Sequence, residues 1–499
     1  MFKRTQICFT ALAIGTAAAG CEQYPNGFNL PGSATEQPFE QQGAALTAAG
    51  PDLVAIGTLA STGRDDNEDT AGPLESGVPG NMLGGLGSGL AYIGGNKFLS
   101  IPDRGPNASP YNPLVDDTTS YITRFHTLRL QLVKSRRGSA LPLALAPELN
   151  KTTLLWDRQP LAYGAGTTTA SVNGTPALNT RKRHYLSGRS DNFDPTRLST
   201  DSFDGRFDPE GIRLSNDGAT VFMTDEYGPY VYQFDRASGR RLRTFSLPVE
   251  FASPVLSSQG ALEISGNTVG RVSNKGMEGL AITPDGRTLV GAMQSPLLQD
   301  GGTSAAFTRL IVIDIGTGLT RQFAYPLTNL SAPGKAPKYP TISEIVAIND
   351  HEFLVDERDG KGVGDNSAAA FKMIFRIDLA GAADVAGLSG EANLAYKAVT
   401  KTPFLDIVAV LGAHGIVPND IPAKLEGLAF GPDVVIAGVP KHTLFVSTDN
   451  DFLPTITDSL HPTGIDNPNK FFVFAVDAAA LPYVPQQIDD GDDSSDGDE

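Results

Sequence analysis

The sequence predicts an all-β fold, a β-propeller of five to six four-stranded blades closed by an N-terminal strand. Three observations carry that expectation. A Glu-Gly-aliphatic unit recurs along the chain. Each copy opens a short alternating strand that ends in a turn. Glycine and proline are abundant but follow no collagen-like period, so they read as turn punctuation.

The clear copies of the unit are Asp208-Pro209-Glu210-Gly211-Ile212, Gly276-Met277-Glu278-Gly279-Leu280 and Lys424-Leu425-Glu426-Gly427-Leu428. Ser343-Glu344-Ile345 and Gly87-Ser88-Gly89-Leu90 are degenerate copies. Hairpin signals follow, such as Asn216-Asp217-Gly218 and Pro284-Asp285-Gly286. Second strands are expected at Lys97–Ile101, Thr220–Thr224, Thr288–Ala292, Glu352–Val355 and Thr443–Ser447. Third strands follow at Ile122–Leu130, Val231–Asp235, Leu310–Asp314, Ile374–Asp378 and Phe471–Asp477, and fourth strands at Leu242–Leu247 and Thr320–Pro326. Repeats of three or four short antiparallel strands are propeller blades. The gap between Ser88 and Glu210 is wide, so 133–207 holds either a sixth blade or a long loop insertion. Leu53–Leu59 has no blade of its own and is expected to supply the last strand of the final blade, closing the ring.

The two ends read differently from the body. Lys3 and Arg4 precede an apolar run, Ile7 to Ala19, that is too short to span a bilayer. Ala18-Ala19-Gly20-Cys21 resembles a bacterial lipobox, with Ala18 where Leu is usual. The expectation is a signal peptide over 1–20 and lipidation of Cys21, which places the protein in the cell envelope, on the periplasmic side or at the surface. The alternative is ordinary cleavage near the Ala-x-Ala triplet, with Cys21 incidental. As the sole cysteine after the signal, Cys21 cannot form a disulfide within the chain. Residues 21–50 read as a flexible linker, 51–485 as the propeller and 486–499 as a disordered acidic tail. A net charge of −17 argues against nucleic acid and anionic membranes as partners, leaving a lipid anchor as the only membrane contact. There are no coiled-coil heptads, and a monomer is expected.

A hairpin argument locates the chemistry. The Glu starts the innermost strand, the chain turns at the far face, and the second strand returns beside the Glu. The returning ends are acidic: Asp103-Arg104-Gly105, Thr224-Asp225-Glu226, Asp356-Glu357-Arg358-Asp359 and Asp449-Asn450-Asp451, with Met293-Gln294 in the third blade. Like charges so close require raised pKa values, basic partners or a bound cation. Oxygen donors without His or Cys favour calcium, then magnesium. Asp103, Glu210, Glu226, Glu278, Glu344, Asp356 and Glu426 are the expected ligands, and Asn274 and Gln294 could add amides. The alternative for each Glu is that it caps backbone N–H groups of the neighbouring blade. Gln294 stands where the other blades carry an acid, which lowers the local charge. The sequence has no Gly-x-Ser-x-Gly elbow, P-loop or dinucleotide fingerprint, and its six His form no His-x-x-x-His pair.

Phe207-Asp208-Pro209-Glu210-Gly211, Thr224-Asp225-Glu226-Tyr227-Gly228-Pro229, Asn274 to Leu280 and Leu354-Val355-Asp356-Glu357-Arg358-Asp359 resemble motifs of the phytase-like family, often labelled "esterase-like activity of phytase". Ser88-Gly89-Leu90 with Ser100 to Gly105 is similar to that family's opening blade. The resemblance implies a propeller related to calcium-dependent alkaline phytases and an exported protein. Two functions stay open. One is a calcium-dependent hydrolase of a small phosphate or other ester, or of a lactone, with one remaining acid as general base. There Arg104, Lys275 and Arg358 would hold the substrate. The other is a non-enzymatic binding or scaffold propeller that uses calcium for stability.

Overall fold

A computed structural model describes residues 50–107, 119–163, 175–188, 197–257 and 259–489. The signal segment, Cys21 and nearly all of the 21–50 linker lie outside the described residues.

Five antiparallel sheets form the body, and their innermost strands contact one another in a closed cycle. Blade one comprises Gly89–Tyr92, Lys97–Ile101, Arg124–Lys134 and Leu143–Leu154. Blade two comprises Pro209–Leu214, Thr220–Asp225, Tyr230–Asp235 and Arg241–Ser246. Blade three runs Met277–Ile282, Thr288–Met293, Phe307–Asp314 and Thr320–Pro326, and blade four Thr341–Ala347, Glu352–Arg358, Lys372–Asp378 and Lys401–Asp406. Blade five takes Leu425–Phe430, Val439–Thr448 and Asn469–Asp477 from the C-terminal side. Its outer strand is Asp52–Leu59, paired antiparallel with Asn469–Asp477, so the chain's first described strand closes the ring as expected.

The ring holds together through the faces of the blades. One apolar cluster fills each of the five junctions. In blade five Phe471, Val473 and Ala475 pack towards blade one, while Phe472, Phe474 and Val476 pack towards blade four. Successive side chains on a strand point to opposite faces, so a strand buried on both reads as an unbroken apolar run. Fully burying one such Phe contributes on the order of 1.5–3 kcal/mol.

The described residues of 133–207 form no sixth blade. Leu143–Leu154 is the outer strand of blade one, paired along Arg124–Lys134. Beyond it, Trp156–Asp157 pairs with His184–Tyr185, and Ser187–Gly188 runs parallel to Arg206–Phe207. Among the described residues these two-residue ribbons have no length over which to build a blade face, and they lie between blades one and two in the chain. The first residues of the expected tail, Gln486 to Asp489, pack against the ring. Gln486 Nε2 donates to Leu214 O at 2.7 Å, and the Asp489 N–H donates to Asn216 O at 2.6 Å. Ile488 rests on the blade-one and blade-two core.

Candidate functional site

The Glu-Gly unit is where the innermost strands depart from regular pairing. Register shifts fall between Pro209 and Ile212, Met277 and Gly279, Ile342 and Glu344, and Leu425 and Leu428. A bulge interrupts the period-two alternation and re-aims side chains locally. Blade one, with no Glu, pairs Gly89 with Ile101 without a shift. The glycine has its own cause, the close approach of the innermost strands. A Cβ on Gly279 would stand 2.8 Å from Glu344 Cα, and one on Gly211 2.8 Å from Leu280 N.

Five buried carboxylates from blades one to three meet at the mouth of the ring. Oxygens of Asp103, Asp208 and Glu210 lie within 4.8 Å of one another, as do those of Glu210, Glu226 and Glu278. Glu210 belongs to both groups. The cluster is organised by backbone and by one cation. Arg104 clamps Asp208 twice, its N–H on Oδ1 at 3.0 Å and its Nη1 on Oδ2 at 2.6 Å, and the same Nη1 stands 3.7 Å from Glu226. Asp103 Oδ1 accepts from the Gly105 N–H at 2.9 Å in a turn where Gly105 has φ +96°. A side chain there would collide with the Tyr121 ring 2.4 Å away. Lys275 Nζ donates to Gln294 Oε1 at 3.1 Å, and Gln294 Nε2 donates to Glu278 Oε1 at 2.8 Å. Glu278 Oε2 is buried without a hydrogen-bond partner among the described residues.

A second group, from blades four and five, holds more ion pairs. Arg358 binds Glu426 through Nη2 and Ser343 Oγ through Nε at 2.7 Å. Lys424 Nζ donates to Asp449 and to Asp451, each at 2.6 Å. Asp356 is fully buried, and neither of its carboxylate oxygens has a hydrogen-bond partner among the described residues. Its neighbours in sequence turn away: Glu357 accepts from Tyr325 Oη at 2.7 Å, and Asp359 pairs with Lys372 Nζ at 2.8 Å. That is the alternation of a strand applied to the acidic run.

Below the acids, Arg213 of blade two is buried among the innermost strands. It donates to the carbonyls of Leu90 at 2.7 Å, Ile345 at 2.8 Å and Leu428 at 3.3 Å, tying blades one, four and five to its own. Glu344 serves the same junction. Its Oε1 accepts from the Leu280 N–H of blade three at 2.8 Å and from its own neighbour Ile345 at 3.0 Å, and its Oε2 stands 3.2 Å from Arg213. The capping alternative therefore describes Glu344.

Burial dominates the electrostatics. It pushes the Asp103, Glu210 and Glu226 carboxyls well above their usual range. The charges of Asp449 (on Asp103) and Glu278 (on Glu210 and Glu226) add to it. Glu278 is pushed up to about 7 by burial and then by Glu426, and Asp356 to about 7 and Glu344 to about 8, by burial above all. A bound cation would reverse these shifts. The donor set fits a hard divalent ion: all oxygens, buried, from three blades, with Glu278 Oε2 unpartnered. None of the candidate groups includes a His.

Of the expected ligands, the ring mouth brings together Asp103, Glu210, Glu226 and Glu278. Glu426 and Asp356 lie in the second group, and Glu344 lies beside Arg213. Of the expected anion-holding residues, Arg104 is engaged with Asp208, Arg358 with Glu426, and Lys275 with Gln294. Sequence reasoning passed over Asp208 as a donor and Arg213 altogether. Asp208 sits two residues before Glu210, and its position under Arg104 is a contact between blades. Arg213 had one signal, a lone guanidinium in an innermost strand that is otherwise apolar after its Glu.

The fold and site define a five-bladed β-propeller whose acidic axial cluster could hold a metal ion. The chain belongs to the phytase-like family described as "Esterase-like activity of phytase", which matches residues 81–452. A relative from Arthroderma benhamiae, described as an "Uncharacterized secreted protein", is 33% identical over 177 residues, covering 30% of this chain and 34% of the relative. The match thus spans about a third of that relative's length. Among solved structures, the periplasmic gluconolactonase PpgL of Pseudomonas aeruginosa is 13% identical, with a TM-score of 0.32 over 85% of this chain and 99% of that one. Hydrazine synthase of Kuenenia stuttgartiensis is 10% identical, with a TM-score of 0.30 over 74% of this chain and 78% of that one. Among the described residues no helix is long and apolar enough to cross a membrane.

Proposed function

We propose that the protein is a divalent-cation-dependent hydrolase of a small phosphate or other ester, with calcium as the ion. The observation that carries this reading is the group of five buried carboxylates, Asp103, Asp208, Glu210, Glu226 and Glu278, centred on Glu210. They would hold the ion, which supplies Lewis acidity to an ester or phosphoryl oxygen when bound. Arg104 orients Asp208 and leans towards Glu226. The Lys275–Gln294 pair orients Glu278 through Gln294 Nε2. Glu426 and Asp356 would supply the outer part of the acidic mouth. Family membership supports the ester class, and a lactone is a substrate variant of it. The secreted relative and the signal-like first residues support an exported chain; the lipobox-like Ala18-Ala19-Gly20-Cys21 is the ground for proposing a lipid anchor on Cys21.

A second reading is favoured by one observation. Arg104 and Arg358, the cations best suited to a substrate anion, are already committed to Asp208 and Glu426. A non-catalytic propeller stabilised by calcium needs no free cation. One experiment separates the two. The protein without its first twenty residues is stripped with chelator, then assayed on phosphomonoesters, phosphodiesters and lactones with and without calcium. Turnover restored by calcium and lost in Glu278→Gln supports the hydrolase. Calcium binding with a rise in melting temperature but no turnover supports the second reading. Absence of both binding and stabilisation removes the cation from either.

A further inference from the structure

In blade one the hairpin that joins Arg124–Lys134 to Leu143–Leu154 outgrows the rest of the sheet. Its strands have 11 and 12 residues, whereas the third and fourth strands of blade two have 6 each. Lys97, the first residue of the second strand, pairs with Arg129, so 130–134 run on past that strand. The tip carries Lys134, Arg136 and Arg137, all exposed, and 131–142 contain no acid. None of the three cations makes an ion pair among the described residues. In a chain of net charge −17 the tip is a local positive patch.

The placement of the tip points to its partner. Ser100 pairs with His126 and Asp103 follows Ile101, so the acidic mouth lies at the Arg124 end and the tip at the opposite end. The 11-residue strand puts about 33 Å between Arg124 and Lys134. That is several times the Debye length of about 8 Å. Asp52–Leu59 has a mouth end as well. Leu59 pairs with Asn469 there, and Asp52, where the chain enters the ring, pairs with Ala475 at the other end. This point of entry is beside the tip. A Cβ on Gly57 would stand 2.9 Å from Leu145 Cβ, and nearer the tip Leu141 packs on the cluster that contains Leu53. The segment that follows Cys21 therefore joins the ring next to the three cations, on the side away from the acids.

We propose that this hairpin tip docks on an anionic lipid surface, with the acidic mouth turned away from the bilayer. The inference rests on the reading of Cys21 as the point of lipid attachment, and it is independent of the chemistry at the mouth. The net charge opposes approach from solution, so the attraction acts once the tether holds the ring near the headgroups. The cations then lie within reach of the surface potential, while the acids, several Debye lengths away, are screened from it.

The test uses the protein without its first twenty residues, coupled through Cys21, its sole cysteine, to a maleimide lipid in vesicles. The coupling stands in for acylation, so the result does not depend on whether Cys21 is lipidated in the cell. Trypsin cleaves after Lys134, Arg136 and Arg137. Mass spectrometry compares these cuts with those after Lys335 and Lys338, which are exposed in the mouth-side connection from blade three to blade four. On vesicles of phosphatidylglycerol and phosphatidylethanolamine the tip cuts should slow about fivefold or more relative to that internal reference. On phosphatidylcholine vesicles, or in about 0.5 M sodium chloride, the slowing should vanish. In the double variant Lys134→Gln, Arg136→Gln, both at exposed positions, cleavage after Arg137 should lose it too. Equal ratios on the two kinds of vesicle, or slowing that survives salt or the double variant, overturn the proposal. Equal slowing of the untethered protein by soluble polygalacturonate would show a site for any polyanion and overturn the lipid as the partner.

Discussion

Arg213 of the second blade reaches across the innermost strands to Glu344 of the fourth, Nη2 to Oε2 at 3.2 Å, beneath a mouth crowded with carboxylates. The same guanidinium donates to carbonyls of three other blades. The pair therefore joins the ring where its strands crowd most closely, and supplies a fixed positive charge under the acids.

Above about pH 8, where Glu344 is ionised beside Arg213, Arg213→Met strands it in a buried site without its counter-charge and leaves carbonyls of Leu90 and Ile345 without this donor. Losing one partner of a buried pair costs about 3–5 kcal/mol. The urea midpoint of the variant should fall accordingly, and Glu344→Gln added to it should recover part of the loss. An Arg213→Met midpoint equal to that of the parent protein would show that the pair does not stabilise the ring.

Without a divalent ion, stability should fall as the pH rises. A carboxyl with a raised folded-state pKa contributes stability that is complete below its unfolded value and is lost as the pH passes its folded one. Glu278 and Asp356 rise to about 7 from 4.5 and 3.8, and Glu344 to about 8 from 4.5, so the loss runs from about pH 4 to about pH 8. Millimolar calcium should flatten the melting-temperature profile over this range by favouring the ionised cluster. Identical profiles with chelator and with calcium would sink the cation reading.

Gln294→Glu replaces the amide that donates to Glu278 with another acid. The chelated variant should melt lower than the parent protein, because two buried carboxylates then face each other. Its gain in melting temperature on adding calcium should exceed that of the parent. Calorimetry with and without the ion reads both effects.

Gly279→Ala places a methyl 2.8 Å from the Glu344 Cα of the adjoining blade. Backbone cannot rotate away as a side chain can, so the ring must open slightly, at a cost of about 1–3 kcal/mol. Gly77→Ala, at a loop position with open space around it, is the control for steric crowding, although its φ of +81° carries its own strain. Denaturation midpoints should place Gly279→Ala below Gly77→Ala.

The blades were legible because their signals are local. Alternation, Gly-containing turns and the acidic third-strand ends placed most inner strands to within a residue or two, and Leu53–Leu59 was recognised as the closing strand. The insertion at 133–207 was ambiguous because short ribbons and blade strands share one vocabulary over two or three residues. The acids were legible as a group but not as individuals. Glu357 and Glu226 look alike in sequence, yet one turns to Tyr325 and the other joins the cluster.

The sequence by itself determined a ring of antiparallel blades, its closure by the first strand, and the face on which the carboxylates gather, since each follows from strand period and hairpin reversal. Only the tertiary structure decided that the blades number five, that Glu344 pairs with Arg213, and that Asp208 joins Asp103 and Glu210 under Arg104. Those outcomes depend on bulges and on distances between blades, which arise from packing five sheets around one axis and leave no mark in the spacing of residues along the chain.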